Sequence, residues 1–150
     1  MGSKFVGDTA TIRALDAFIA LSRAYNSFCA RTNKHFETAK IGITEFAVLE
    51  ALHHLGPLAQ NVIAQKILCS KANLTLTIDK LEQRGFVTRC RQSDDRRCIH
   101  VQLTADGERF ISELFPKHAE ILKREMSVLN VEEQSQLKNI CKKLGIGFIK

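Results

Sequence analysis

One stretch, residues 70–103 (SKANLTLTIDKLEQRGFVTRCRQSDDRRCIHVQL), limits what this chain can fold into, because it spells a helix, a tight turn and an arginine-rich hairpin in succession. Leu74, Ile78 and Leu81 fall at i, i+4 and i+7, one face of an amphipathic helix. Ser70 stands where a helix N-cap belongs, and Gly85 follows at the stop, where a positive φ is cheap for glycine. Phe86–Cys90 and Ile99–Leu103 then alternate apolar with polar residues, as half-buried strands do. The segment between them, 91–97, is polar and basic. A helix able to enter a major groove, followed by a basic hairpin, predicts a mainly α chain built on a winged helix-turn-helix DNA-binding domain with a two-stranded β wing.

On the helix face away from the apolar stripe, Lys71, Ala72, Asn73, Thr75 and Leu76 are short or flexible enough to approach base edges. Lysine can donate to guanine, asparagine can pair with adenine, and apolar groups can touch the thymine methyl. Leu76 stands off the core face; its plain alternative is a surface leucine, which needs no explanation. Lys80 and Arg84 are better placed for phosphates, which orient a protein without reading sequence.

Charge supports this reading. The net charge is +6, and residues 70–100 hold seven basic side chains (Lys71, Lys80, Arg84, Arg89, Arg91, Arg96, Arg97) against four acids (Asp79, Glu82, Asp94, Asp95). Half of the excess positive charge therefore lies in about a fifth of the chain. Such a cluster would neutralise DNA phosphates and make binding salt-dependent. Its plain alternative is a solvated basic surface.

With 150 residues, 45% of them apolar, the chain is long enough for one domain with a core. No long uncharged apolar run or secretory leader is visible, so no membrane association and a cytoplasmic location are expected. Five cysteines (Cys29, Cys69, Cys90, Cys98, Cys141) at irregular spacings show no CxxC pattern. No phosphate-binding glycine loop, nucleophile elbow or HExxH occurs, which argues against an enzyme, and no cofactor is expected.

From about Thr9 to His35 the sequence reads as one long helix with a broad apolar face. Thr44 is expected to cap the next helix, Thr44 to Leu55, with Phe46, Val48, Leu49, Leu52 and Leu55 inward. Gly56-Pro57 ends it, and Ala59 to Leu68 follows as a short helix with Val62, Ile63, Ile67 and Leu68 inward. Short helix, tight turn and helix is the helix-turn-helix spacing. Thr104 caps a second long helix, which Pro116 should kink or split. A last helix over Val131 to Leu144 leaves Gly145–Ile149 as an apolar tail. The N- and C-terminal helices carry more apolar surface than one winged domain can bury, so a two-fold homodimer is expected. Its two reading helices would meet a pseudo-palindrome in grooves roughly 34 Å apart.

The pattern S-x-x-N-x-T-x-x-x-D-x-L-E-x-R-G-x-V-x-R, then D-R-R, then V-x-L-T-x-x-G resembles the MarR family of bacterial transcriptional regulators. It is carried by Ser70, Asn73, Thr75, Asp79, Leu81, Glu82, Arg84, Gly85, Val87, Arg89, Asp95, Arg96, Arg97, Val101, Leu103, Thr104 and Gly107. Leu21–Tyr25 and Ile43–Leu49 resemble the family's upstream segments. The resemblance implies a single MarR-like domain over 1–150, with the winged helix-turn-helix at about 44–103 and dimerisation helices at about 9–35 and 104–150. It also implies a homodimer, usually a repressor, without enzymatic activity, released from operator DNA by an effector. The helix from Ser70 would lie in the major groove and Arg97 in the minor groove, steadied by Asp95, so that part of the specificity is shape readout.

Relatives respond to phenolic or other small aromatic acids, to oxidants or, less often, to metals. Arg23, Tyr25, His35 and His53 (with His54) lie in segments that could line an effector cleft. For a redox switch the candidates are Cys29, Cys69, Cys90 and Cys98. Cys69 adjoins the reading helix's N-terminus, and Cys90 and Cys98 lie on opposite strands of the wing. Free cysteine is commonly just a small buried hydrophobe. A metal site of Cys90, Cys98 and His100 is disfavoured because strand geometry alternates their faces. The rival from another class is a non-specific architectural DNA-binding protein, which would lack a large specificity ratio.

Overall fold

In a computed structural model the chain is described over residues 5–91 and 99–146. The elements run α1 (Thr9–Thr32), α2 (Lys34–Thr38), α3 (Ile43–Leu55), β1 (Leu58–Ala59), α4 (Gln60–Lys66), α5 (Lys71–Gln83), β2 (Val87–Arg91), β3 (Ile99–Leu103), α6 (Ala105–Met126) and α7 (Val131–Ile146). They divide into two compact units, Asn33–His118 and a second made of residues 5–32 with 119–146. No helix among the described residues is long and apolar enough to cross a membrane.

Asn33–His118 holds the hydrophobic core. Phe36, Phe46, Val48, Leu49, Leu52, Ile63, Leu74, Ile78, Leu81, Val87, Val101 and Ile111 pack together there, drawn from α2 to α6. The sheet has the order β1-β3-β2, all antiparallel, with Val87 opposite Leu103, Arg89 opposite Val101, and Cys90 opposite His100. The expected wing hairpin is present, but a third strand joins it: Leu58 pairs with Val101 and Ala59 with His100. Two residues after Gly56-Pro57 have no periodicity to announce a strand. Only the unpaired edge of β3 creates one.

Several local expectations are corrected. The first helix does not run to His35; it stops at Thr32, and after Asn33 a separate turn of helix carries Phe36 into the core. Thr44 does not cap α3. Gly42 precedes the helix, and its backbone N–H donates to Glu45 Oε2 at 2.7 Å. Leu55 is 53% exposed rather than inward. Leu68 is 92% exposed with φ 53°.

Leu68 has a structural reason for leaving the core. Cys69 N–H donates to Ala64 O (3.1 Å) and closes α4 with a left-handed residue, a helix end at which glycine is usual. Ile41 N–H to Phe36 O and Phe86 N–H to Leu81 O close α2 and α5 in the same way, around Lys40 (φ 52°) and Gly85 (φ 72°). Of these three corners, only the one after α5 carries the glycine.

Thr104 caps α6 as expected, accepting from Gly107 N–H (3.0 Å) while donating to Gly85 O (2.5 Å). Pro116 does not split α6, which is helical from Ala105 to Met126. The proline removes one N–H, and the carbonyl this frees belongs to Ser112, an exposed residue that water can satisfy.

In the other unit, Asp8 caps α1 by accepting from Ala10 and Thr11 N–H. Asn130 and Glu133 exchange side-chain-to-backbone bonds at the start of α7 (2.9 and 2.8 Å), a capping box. Arg31 bonds Glu125 at 2.7 Å and holds its carboxyl below the ordinary range. α7 ends at Ile146 and has no buried residue. The apolar tail expected at Gly145–Ile149 lies largely outside the described residues.

Candidate nucleic-acid interface

α5 is built as the sequence predicts. Ser70 Oγ accepts from Asn73 N–H (3.2 Å), and Leu74, Thr77, Ile78 and Leu81 are buried. The opposite side exposes Lys71, Ala72, Asn73, Thr75, Leu76 and Lys80, with Leu76 62% exposed. Thr75 and Thr77 donate their hydroxyls to the Lys71 and Asn73 carbonyls, so their remaining capacity is as acceptors. Lys71 and Lys80 have no ion-pair partner among the described residues. A cleft of about 380 Å³ runs between the start of α3 and this face, lined by Ile43, Thr44, Glu45, Asn73, Thr77 and Lys80. The six exposed residues thus form one continuous surface of mixed character, cationic, polar and apolar, on a firmly seated helix.

Two arginines of the basic cluster, both candidates for DNA contact, are engaged within the protein. Arg84, at the end of α5, reaches Glu45 on α3 (3.4 Å), and its guanidinium lies 4.7 Å from the centre of the Phe86 ring. Arg89, on β2, bonds Asp79 Oδ1 (2.5 Å) and Glu82 Oε2. Burial alone would lower its pKa, but the bonds and charges of Asp79 and Glu82 more than offset this and raise it. Sequence reasoning missed Glu45, Asp79 and Glu82 as partners. For the last two a signal existed, since two acids at i and i+3 face the start of a following strand.

Arg91 ends β2, and its side chain lies outside the described residues, as do Asp95, Arg96, Arg97 and Cys98. Cys90 is half-buried, opposite His100, with its sulfur 3.7 Å from Gln102 Oε1. Cys69 and Cys29 are also half-buried, and Cys141 is exposed. No group of three or more His, Cys, Asp or Glu among the described residues is placed to hold a metal ion.

The effector candidates fall into both units. Arg23 and Tyr25 lie on α1, where a hydrogen bond with Cys29 raises the Tyr25 pKa. His53 Nδ1 is 2.8 Å from Glu108 Oε1. His35 stacks on His118 with 5.0 Å between ring centres, and neither of its ring nitrogens has a hydrogen-bond partner among the described residues. His118 was not among the effector candidates that the sequence offered.

Comparison with known proteins agrees with the fold and the motif. The MarR family model matches residues 41–99. The HTH-type transcriptional regulator MhqR of Bacillus subtilis is 38% identical over 136 residues, covering 91% of this chain and 94% of MhqR. Among solved structures, a mutant MarR from E. coli complexed with operator DNA superposes with a TM-score of 0.79 at 17% identity, over 92% of this chain and 99% of that one. NadR in complex with 4-hydroxyphenylacetate gives 0.74 at 23% identity, over 100% and 99%. Similarity to MhqR along nearly the whole length of both proteins, added to the winged helix-turn-helix architecture, shows that this chain belongs to the MarR family of transcriptional regulators.

Proposed function

We propose that the chain is a homodimeric, sequence-specific repressor that binds a pseudo-palindromic operator and leaves it when a small aromatic acid binds. The observation that carries this reading is the exposed face of α5, where Lys71, Ala72, Asn73, Thr75, Leu76 and Lys80 stand clear of a core that holds the other face. Asn73 is the residue suited to reading adenine, Leu76 and Ala72 the ones suited to a thymine methyl, and Lys71 and Lys80 supply charge. The wing, with Arg91, Arg96, Arg97 and Asp95, serves the neighbouring minor groove in this reading. In this reading the protein works on DNA in the cytoplasm. The aromatic-acid effector is supported by the structural likeness to NadR, whose complex holds 4-hydroxyphenylacetate.

Titration against DNA from the protein's own promoter, beside scrambled DNA, tests the reading. Asn73→Ala should reduce operator affinity by roughly 1–3 kcal/mol while leaving the scrambled control nearly unchanged. Equal wild-type affinity for both DNAs would remove the specific-regulator reading in favour of an architectural one.

A further inference from the structure

We infer that Arg89 is a positioning residue of the operator-binding surface, a clamp that fixes the wing against α5 rather than a contact to DNA phosphate. This inference rests on the reading of α5 as the helix that enters the major groove.

Arg89 shares a strand face with Val87, two residues earlier, which is buried in the core. That face turns the guanidinium toward α5. One terminal nitrogen takes Asp79 Oδ1 at 2.5 Å and the other takes Glu82 Oε2. The backbone N–H of Arg89 also donates to Glu82 Oε1 at 3.1 Å, so Glu82 holds both the main chain and the side chain of one residue. The arginine side chain is 25% exposed. Two charge-assisted bonds in a planar fork set direction as well as distance, which a lysine's single ammonium cannot reproduce.

The need for a clamp comes from the corner before it. Between α5 and β2 the chain turns at Gly85 with φ 72°, and nothing lies within 4 Å of where its Cβ would be. The corner itself is pinned, by Phe86 N–H to Leu81 O and by the Thr104 hydroxyl to Gly85 O, so β2 starts from a fixed point and what remains to be set is its direction beyond that point. The Asp79–Arg89–Glu82 bridge closes past that corner and fixes this direction. It also neutralises two carboxylates that would otherwise oppose DNA from the reading helix itself.

The two roles for Arg89 differ in sign at its partners. Replacing Asp79 by Asn and Glu82 by Gln removes two negative charges from α5. If only the field felt by DNA mattered, the double variant would bind more tightly. If the carboxylates matter because they hold the wing, it binds less tightly.

The experiment measures operator and scrambled-DNA affinity for the full chain at several salt concentrations. The proteins are wild type, Arg89→Met, Arg89→Lys, Asp79→Asn/Glu82→Gln and Lys71→Ala, each checked by thermal unfolding to be folded at the assay temperature. The clamp predicts that Arg89→Met and the double variant each lose operator affinity by roughly tenfold. Both should lower the operator-to-scrambled ratio while keeping the wild-type slope of log affinity against log salt. Arg89→Lys should recover only part of the loss. A slope lowered by about one in Arg89→Met, or tighter operator binding by the double variant, overturns the clamp and returns Arg89 to the phosphates. If Arg89→Met is unfolded at the assay temperature, the near-isosteric double variant decides alone. Lys71→Ala separates the two levels. Unchanged affinity and slope there would remove α5 from the DNA, and the clamp with it. A loss there beside a tightened double variant overturns the clamp only.

Discussion

His118 lies 4.9 Å from the Phe46 ring centre and 5.0 Å from that of His35. Burial among these rings, and then the field of His35, lower its pKa from the ordinary 6.5. Below that value the unfolded chain binds a proton that the folded one resists. The contribution of His118 is therefore complete above about pH 6.5 and is lost as the pH falls from there toward the lowered value. Glu125, held below its ordinary range by Arg31, loses its contribution only in more acid solution, so the two windows are separate. The urea midpoint of the wild type should fall between about pH 7.5 and about pH 5.5, and His118→Gln should reduce that fall. An undiminished fall in the variant would place the titrating group elsewhere. Residues of this kind were hidden in the sequence because their chemistry lies in their neighbours. The pairing of Arg84 with Glu45 was hidden in the same way, because the two stand 39 positions apart.

Elements were legible wherever their signals were local. Ser70, Gly85 and Thr104 announce the ends of α5 and the start of α6, and alternation announces β2 and β3. The break at Asn33 and the strand at Leu58–Ala59 depend on what the rest of the fold presents to them, and local pattern did not carry them; the cap at Gly42 is local, a bond to Glu45 three residues on, but Thr44 offered the more usual cap side chain two positions later. Gly107 stands between these cases, since the motif marks it but only the structure explains it. A Cβ there would come within 1.9 Å of the Phe86 carbonyl oxygen, a backbone atom that cannot move aside cheaply. In a free helix, Gly→Ala gains about 1 kcal/mol. Here Gly107→Ala should instead cost roughly 1–3 kcal/mol, because α6 must back away from the start of β2. Chemical denaturation reads the sign directly, and a stabilised variant would mean that α6 and the Phe86 backbone are not held together.

For the whole molecule, the unequal distribution of apolar surface bears on assembly. The core lies in Asn33–His118, while α1 and α7 expose Phe18 (65%) and Ile140 (63%), and α7 buries nothing. In the proposed homodimer these helices meet their counterparts, so sedimentation should give twice the chain's 16.9 kDa. Phe18→Glu with Ile140→Glu should shift the mass toward the monomer and weaken operator binding in step. A dimer unaffected by both charges would place the interface on other surfaces. The left-handed corners bear instead on descent. Lys40 and Leu68 occupy positions that cost roughly 1 kcal/mol more for them than for glycine, yet the unit closes around both. A lineage that altered the face of α5 to suit a new operator, and lost stability in doing so, would find compensation one substitution away at either corner, neither of which belongs to that face.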